Sequence, residues 1–493
     1  MTAFHEPFDL VLRGGTVIDG TRSPRFDADL GIVGERIAAI GQLAGRPARR
    51  TLDVSGRIVA PGFIDAHTHD DQALLSQPDM GFKLSQGVTT VIAGNCGISL
   101  APLREGLPLP PPLDLLDGRD RPRFGSMAAY FAALREAPPA INVAALAGHT
   151  SLRVCAMAAL DRAPDAGEIA TMRALLDEAL DAGAIGLSTG TFYPPAAAAS
   201  TDEIIAVGRS LAGRGGLVAT HMRDEADQVM AALDETFRIG RELDVPVVIS
   251  HHKVMRQANF GRSVQTLAHI RQAMQCQCVA LDCYPYTAGS TMIRTDQGML
   301  DGRVLIASSV PHPECTGRDL SDIAAEWGVD RAEAARRLQP GSAIYFMMDE
   351  ADVQAILAFD ETMIGSDGIP LGDKPHPRLW GTFPRVLGHY SRDLGLFPLE
   401  TAVWKMTGLT ARNFRLAGRG TLAPGQAADV VVFDAGTVAD RATYDAPTQA
   451  AAGITLVLVN GAIAWQQGQS TGARPGQVIT RSDIALQDTP GSR

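Results

Sequence analysis

The stretch "PGFIDAHTHDD" sets two histidines, His67 and His69, one residue apart at the end of an apolar run. On an extended strand alternate side chains share a face, so the two imidazoles point the same way. Other apolar runs end in side chains of the same chemical kind. Cys96 closes "VTTVIAGNCG", His221 closes "GLVATH", His251 or His252 closes "VPVVISHH", and Asp367 follows "TMIGSDG". Imidazole nitrogen, thiolate sulfur and carboxylate oxygen are the donors that Zn²⁺ prefers. A single strand-end histidine is more often a hydrogen-bonded structural residue, and Asp is common in turns such as "GSDG". Six such positions point to a metal centre, because the structural reading would have to be invoked separately for each. A protein-held zinc with an open position polarises a carbonyl and brings the pKa of bound water toward about 7. Amide hydrolysis also needs a base for the water proton and an acid for the departing nitrogen. Asp367, beside the metal, can do both in turn.

Convergence of distant residues requires a scaffold. Buried-looking strands occur at "GFIDAHTH", "VTTVIAGNC", "INVAALAGH", "AIGLSTG", "GLVATH", "VPVVISHH", "CVALDCYP" and "TMIGSDG". Amphipathic helical patterns such as "AGEIATMRALLDEALDAG" separate most of them. Continuous apolar strands alternating with helices mark a parallel sheet covered on both faces. Eight units predict an α/β protein with a closed (β/α)₈ barrel over residues 61–417, whose active residues stand at the C-terminal strand ends. Residues 1–60 and 418–493 are strand-like and turn-rich, and neither end alone has enough strands to close a core. They predict one small antiparallel β-sandwich built from both chain ends. The long stretch 285–346, between the seventh strand and the helix before the eighth, predicts a lid-like insertion.

Composition narrows the function. The 493 residues are 45% hydrophobic and 20% charged, a globular balance. A net charge of -11 disfavours nucleic acid as a partner. No apolar run approaches the roughly 18 residues that span a bilayer, and the first residues carry no signal-type core, so no membrane partner is expected. Six sparse cysteines without a CxxC pair predict a reducing, cytoplasmic setting. Those other than Cys96 read as buried small hydrophobes. The sequence implies no oligomeric state.

The motifs "PGFIDAHTHDD", "GNCG", "THMRDEA", "VVISHHK", "YPYTAGST" and "IGSDG" resemble those of the N-acyl-D-amino acid deacylases, or D-aminoacylases, of the amidohydrolase superfamily. The resemblance runs nearly the whole chain, and "GNCG", where most binuclear relatives carry a bridging lysine, is its specific part. It implies a tight zinc site of Cys96, His221 and His251, and a second, weaker or empty site of His67, His69 and Asp367 that Cys96 can bridge. It also selects His251 over His252, which spacing leaves open. Lys253, Tyr284 and Arg378 match family positions that hold the substrate α-carboxylate; read alone, the two cations are ordinary solvated loop charges. Ser290 matches a hydroxyl contact, and Tyr193 with the Pro-Pro pair after it forms a pocket wall. The D preference rests on the resemblance alone.

Arg294, in "STMIRTDQGML", stands where deacylases for neutral D-residues tend to have apolar side chains. A guanidinium fork there would select a carboxylate, so N-acyl-D-glutamate is the expected substrate, ahead of N-acyl-D-aspartate. The competing reading pairs Arg294 with Asp296 or with solvent and leaves a deacylase for neutral D-residues. Two further alternatives are a cyclic amidohydrolase, which would want a lysine bridge and four histidines, and a non-catalytic scaffold, which would be expected to lose ligands. His149 and Arg223 read as structural, Arg223 through an ion pair with Asp224, Glu225 or a neighbour.

Overall fold

The computed structural model describes residues 7–116 and 123–481. Its centre is a ring of eight parallel strands: Phe63–Asp65, Val88–Ala93, Asn142–Gly148, Gly186–Gly190, Leu217–His221, Val247–Ile249, Val279–Cys283 and Thr362–Ile364. Each pairs with the next in sequence. The first and eighth meet through a bridge between Thr68 and Gly368. Helices cover the outside, and local sequence explains their ends. Ala166–Ala182 begins at a capping box of Asp165 and Glu168 and stops at Gly183, whose φ of 114° suits glycine.

Inside the ring, Ile64, Ile92, Leu146, Ile185, Leu217, Val248 and Met363 form one cluster with Leu409, Phe414, Leu416 and Ile479. Leu217 begins its strand and His221 ends it, so this apolar plug fills the end opposite the candidate ligands.

Nine further strands from the two chain ends form one continuous sheet. Ile58–Pro61 pairs antiparallel with Val430–Phe433, joining the halves. The expected all-antiparallel arrangement is corrected in one respect. Phe8–Val17 runs parallel to both Ala48–Asp53 and Ile58–Pro61. The hairpin Phe26–Val33/Arg36–Gly41 occupies the other edge of Phe8–Val17, so the returning chain pairs on the opposite side and in the same direction. Leu12, Leu30, Val59, Val430 and Leu458 lie in the core of this sheet.

Residues 285–346 are folded in their own right. Ala288–Met292, Gly341–Phe346 and Arg303–Ser309 make a three-stranded antiparallel sheet, with helices Leu320–Trp327 and Arg331–Leu338 beside it. Among the described residues no helix is long and apolar enough to cross a membrane.

Candidate metal centre

The strand ends bring the six expected donors together. His67, His69, Cys96 and Asp367 form one group, and Cys96, His221 and His251 another; within each, the donor atoms lie within 4.8 Å of one another. Cys96 Sγ is 3.2 Å from His67 Nε2 and 3.3 Å from His251 Nε2. Asp367 Oδ1 is 3.2 Å from His69 Nε2 and 3.6 Å from His67 Nε2. Three of the six hold backbone angles that non-glycine residues rarely adopt: Cys96 at φ 55°, His251 at 37° and Asp367 at 50°. Such strain persists where the surroundings fix it and clusters at functional sites. Here Asp282 Oδ1 accepts from His251 N at 2.9 Å, and Asp367 N donates to His67 O at 2.8 Å.

The donor set fits a divalent cation. Among the described residues, both nitrogens of buried His221 and Nδ1 of buried His67 lack hydrogen-bond partners. Burial pushes the Cys96 thiol well up, with the Asp367 charge adding to it, so a thiolate there calls for a facing positive charge. Burial also pushes His67 and His251 down to about 3, leaving their ring nitrogens as neutral donors.

Residues behind the donors fix their orientation. Glu225 Oε1 is 3.1 Å from His251 Nδ1, and its Oε2 faces His221 Nε2 at 3.4 Å as an ion-pair contact rather than a hydrogen bond. Glu225 and Lys253 both face His251 Nδ1, which leaves Nε2 turned to Cys96 and available to a cation. Burial alone would raise the Glu225 pKa, but Lys253 and the two histidines hold it well below the ordinary range. Asp282 Oδ2 lies 3.6 Å from His67 Nδ1. Asp71 accepts from Gly94 N at 3.1 Å and Leu100 N at 3.3 Å, clamping the loop that carries Cys96. Glu225, Asp282 and Asp71 escaped the sequence reading as site residues. The signal for Asp282 was a carboxylate inside the apolar run "CVALDC".

The expected substrate residues divide. Arg378 Nη2 lies 2.9 Å from Asp367 Oδ2 and donates to Ser290 O at 3.1 Å, while its buried Nε and Nη1 have no hydrogen-bond partner among the described residues. Its guanidinium sits 4.5 Å over the Tyr284 ring. Arg378, Tyr284 and Ser290 therefore stand together beside Asp367. Lys253 does not offer a free cation: buried, it donates to Glu225 Oε1 at 2.7 Å and lies 2.7 Å from His251 Nδ1. Arg294 Nε donates to Asp296 Oδ2 at 2.9 Å, the pairing named as its competing role. Its guanidinium rests 4.7 Å over Phe192, whose ring stacks at 4.9 Å on His221. Tyr193 meets His221 edge-on at 4.9 Å and lines a cleft with His69, Ile98, Pro112, Ser290, Thr291 and Ile369.

His252 turns away, its Nε2 2.9 Å from Thr266 Oγ1. His149 is buried 3.1 Å from Glu203, and Arg223 pairs with Glu235 at 2.8 Å. Cys283 and Cys315 are buried, but Cys276 and Cys278 are exposed, correcting their reading as core residues. They lie in the turn that precedes the seventh strand, outside its covered run.

A parallel barrel whose C-terminal rim gathers imidazoles, a thiol and a carboxylate is the architecture of a metal-dependent hydrolase. The chain belongs to the amidohydrolase family, which it matches over residues 50–277 and 291–464. It is 61% identical to a D-aminoacylase of Alcaligenes xylosoxydans xylosoxydans, over 97% of this chain and 98% of that one. It is 51% identical to an N-acyl-D-glutamate deacylase of the same organism, over 98% and 99% of the two. The crystal structure of an N-acyl-D-glutamate deacylase from Bordetella bronchiseptica, complexed with zinc and a phosphonate mimic of the tetrahedral intermediate, superposes with a TM-score of 0.92. It is 50% identical and covers 96% of this chain and 100% of that one.

Proposed function

We propose that this chain hydrolyses the amide bond of N-acyl-D-amino acids, releasing a carboxylate and the free D-amino acid. The observation that carries the reading is Asp367, set between the imidazoles of His67 and His69 and the half-unspent guanidinium of Arg378. Zinc, when bound, supplies electrophilic activation of the carbonyl and acidification of water. Cys96, His221 and His251 would hold the tight ion; His67, His69 and Asp367, with Cys96 shared, would hold a weaker one. Burial alone would raise the Asp367 pKa, but Arg378 and His251 outweigh it and keep the carboxyl well below its usual range. Asp367 is thus a carboxylate at neutral pH, ready to take the water proton and return it to the departing nitrogen. Arg378 Nε and Nη1, with the Tyr284 hydroxyl and Ser290, suit the substrate α-carboxylate.

Two side-chain readings compete. Arg294 Nε and Nη1 are engaged with Asp296 and the Phe192 carbonyl, while Nη2 makes no hydrogen bond among the described residues, which leaves its two N–H donors for an acidic side chain and favours N-acyl-D-glutamate. The 61% likeness to a D-aminoacylase and the apolar Ile98, Pro112 and Ile369 of the cleft favour neutral residues. We keep the acidic reading first, with residues 285–346 as the lid that delivers Ser290 and Arg294, residues 61–417 as the catalytic barrel, and the reducing cytoplasm as its setting. A panel of N-acetyl-D- and L-amino acids on metal-analysed protein tests the activity, its stereochemistry and the side-chain reading. Turnover confined to D-substrates with glutamate fastest is expected, and Arg294→Leu should shift preference toward leucine by about tenfold or more. Equal or faster wild-type turnover of N-acetyl-D-leucine overturns the acidic reading, and no turnover on any N-acyl amino acid overturns the whole.

A further inference from the structure

The barrel is weakest where it closes. The first and eighth strands share one isolated bridge and a few single hydrogen bonds, whereas every other neighbouring pair has a ladder. Yet this seam separates His67 and His69 from Asp367. Beneath it lies Lys83, on the short helix Gly81–Leu84, fully buried with Asp65, Asp70 and Ser366. Its Nζ donates to Asp65 Oδ2 at 2.7 Å and to Ser366 Oγ at 2.9 Å, and Asp70 Oδ2 faces it as an ion pair at 3.2 Å. Asp65 Oδ1 accepts from Ser366 N at 2.7 Å and from His67 N at 3.3 Å, and Gly368 N donates to Ser366 Oγ at 3.2 Å. The strands approach so closely that a Cβ on Gly365 would lie 2.6 Å from His67 Cβ.

We propose that Lys83, with Asp65 and Ser366, is a positioning device for the reaction: it pins the first strand to the eighth and so sets the distance between the two imidazoles and the Asp367 carboxylate. Apolar side chains could seal the seam without the desolvation cost of a buried ammonium. Two hydrogen bonds and an ion pair on one ammonium add a fixed register, which matters where a displacement of about 1 Å costs about 100-fold in rate. The inference rests on the deacylase reading for its kinetic test, and metal binding tests it independently.

Ser366→Ala removes one of the two Lys83 hydrogen bonds and leaves the ammonium paired with two carboxylates, so the variant should fold. It is expected to lower kcat about tenfold or more with KM within about twofold, and Ser366→Thr should restore it. Lys83→Met, where it is soluble with a native circular-dichroism spectrum, should lose about 100-fold in kcat. In Co²⁺ titrations, Ser366→Ala should weaken the His67–His69–Asp367 site about tenfold and leave the Cys96–His221–His251 site unchanged. Thr236→Ala, which deletes a buried hydroxyl bonded to Ala232 O on a remote helix, is the comparison for simple loss of stability. Should Ser366→Ala match wild type in both kcat and Co²⁺ affinity, or lose activity no differently from Thr236→Ala at an equal shift in melting temperature, the pin is overturned. A wild type that binds Co²⁺ but turns over no substrate sinks the deacylase reading, and the titration still decides the pin.

Discussion

Asp367 carries its charge in a place where burial opposes it, and Arg378 is the reason it can. Asp367→Asn should therefore keep the zinc held by Cys96, His221 and His251 while lowering kcat by about 10³-fold, within the range that one acid–base group contributes; metal analysis beside turnover checks both halves. Donor types were legible in the sequence because each ended an apolar run, a position that gains nothing from a histidine or a thiol. What the donors touch was not. Lys253 pairs with Glu225, which arrives from the end of another strand, a contact that spacing cannot reveal. The choice between His251 and His252 was closed to spacing as well. A left-handed turn at His251 sends it to Cys96 and its neighbour to Thr266.

Among the elements, the loop that follows the second strand and the end of the fourth strand meet backbone to backbone above the barrel. A Cβ on Gly190 would lie 2.0 Å from Cys96 O, an atom with no freedom to swing aside. Gly190→Ala should cost about 1–3 kcal/mol and reduce zinc content by displacing Cys96, as read from a thermal melt and a metal assay. On helix Leu399–Met406, Lys405 Nζ donates to the carbonyls of Phe359, Asp360 and Thr362 at 2.5, 3.2 and 3.3 Å just before the eighth strand. Burial pushes its pKa down to about 7 from 10.5. Because the folded value is the lower, the unfolded chain binds the extra proton between these limits, and stability attributable to this group rises with pH across that window. Wild type should gain on Lys405→Met in urea midpoint as pH goes from about 7 to about 10. A constant gap between the two would contradict it.

For the molecule as a whole, the alternation of strands and helices announced the barrel, and the β texture of both ends announced a shared sheet. The parallel return of Ala48–Asp53 and Ile58–Pro61 onto Phe8–Val17 was hidden, because register and direction depend on which edge is already occupied. Also hidden was the strap after the last strand. Val478 bridges Val143, Ile479 N donates to Val143 O at 2.8 Å, and the Ile479 side chain joins the apolar plug. Ile479→Ala should destabilise the fold by about 2–5 kcal/mol, measured by denaturant unfolding, with KM unchanged because the plug lies away from the rim. The pairing of Ala60 with Val431 bears on how the protein is made. During synthesis the ribosome must release most of the polypeptide before Ile58–Pro61 finds its C-terminal neighbour, so a nascent barrel carries an unmated strand edge throughout. Late assembly of this kind makes slow refolding, and concentration-dependent loss to aggregates, the natural hazards of this architecture.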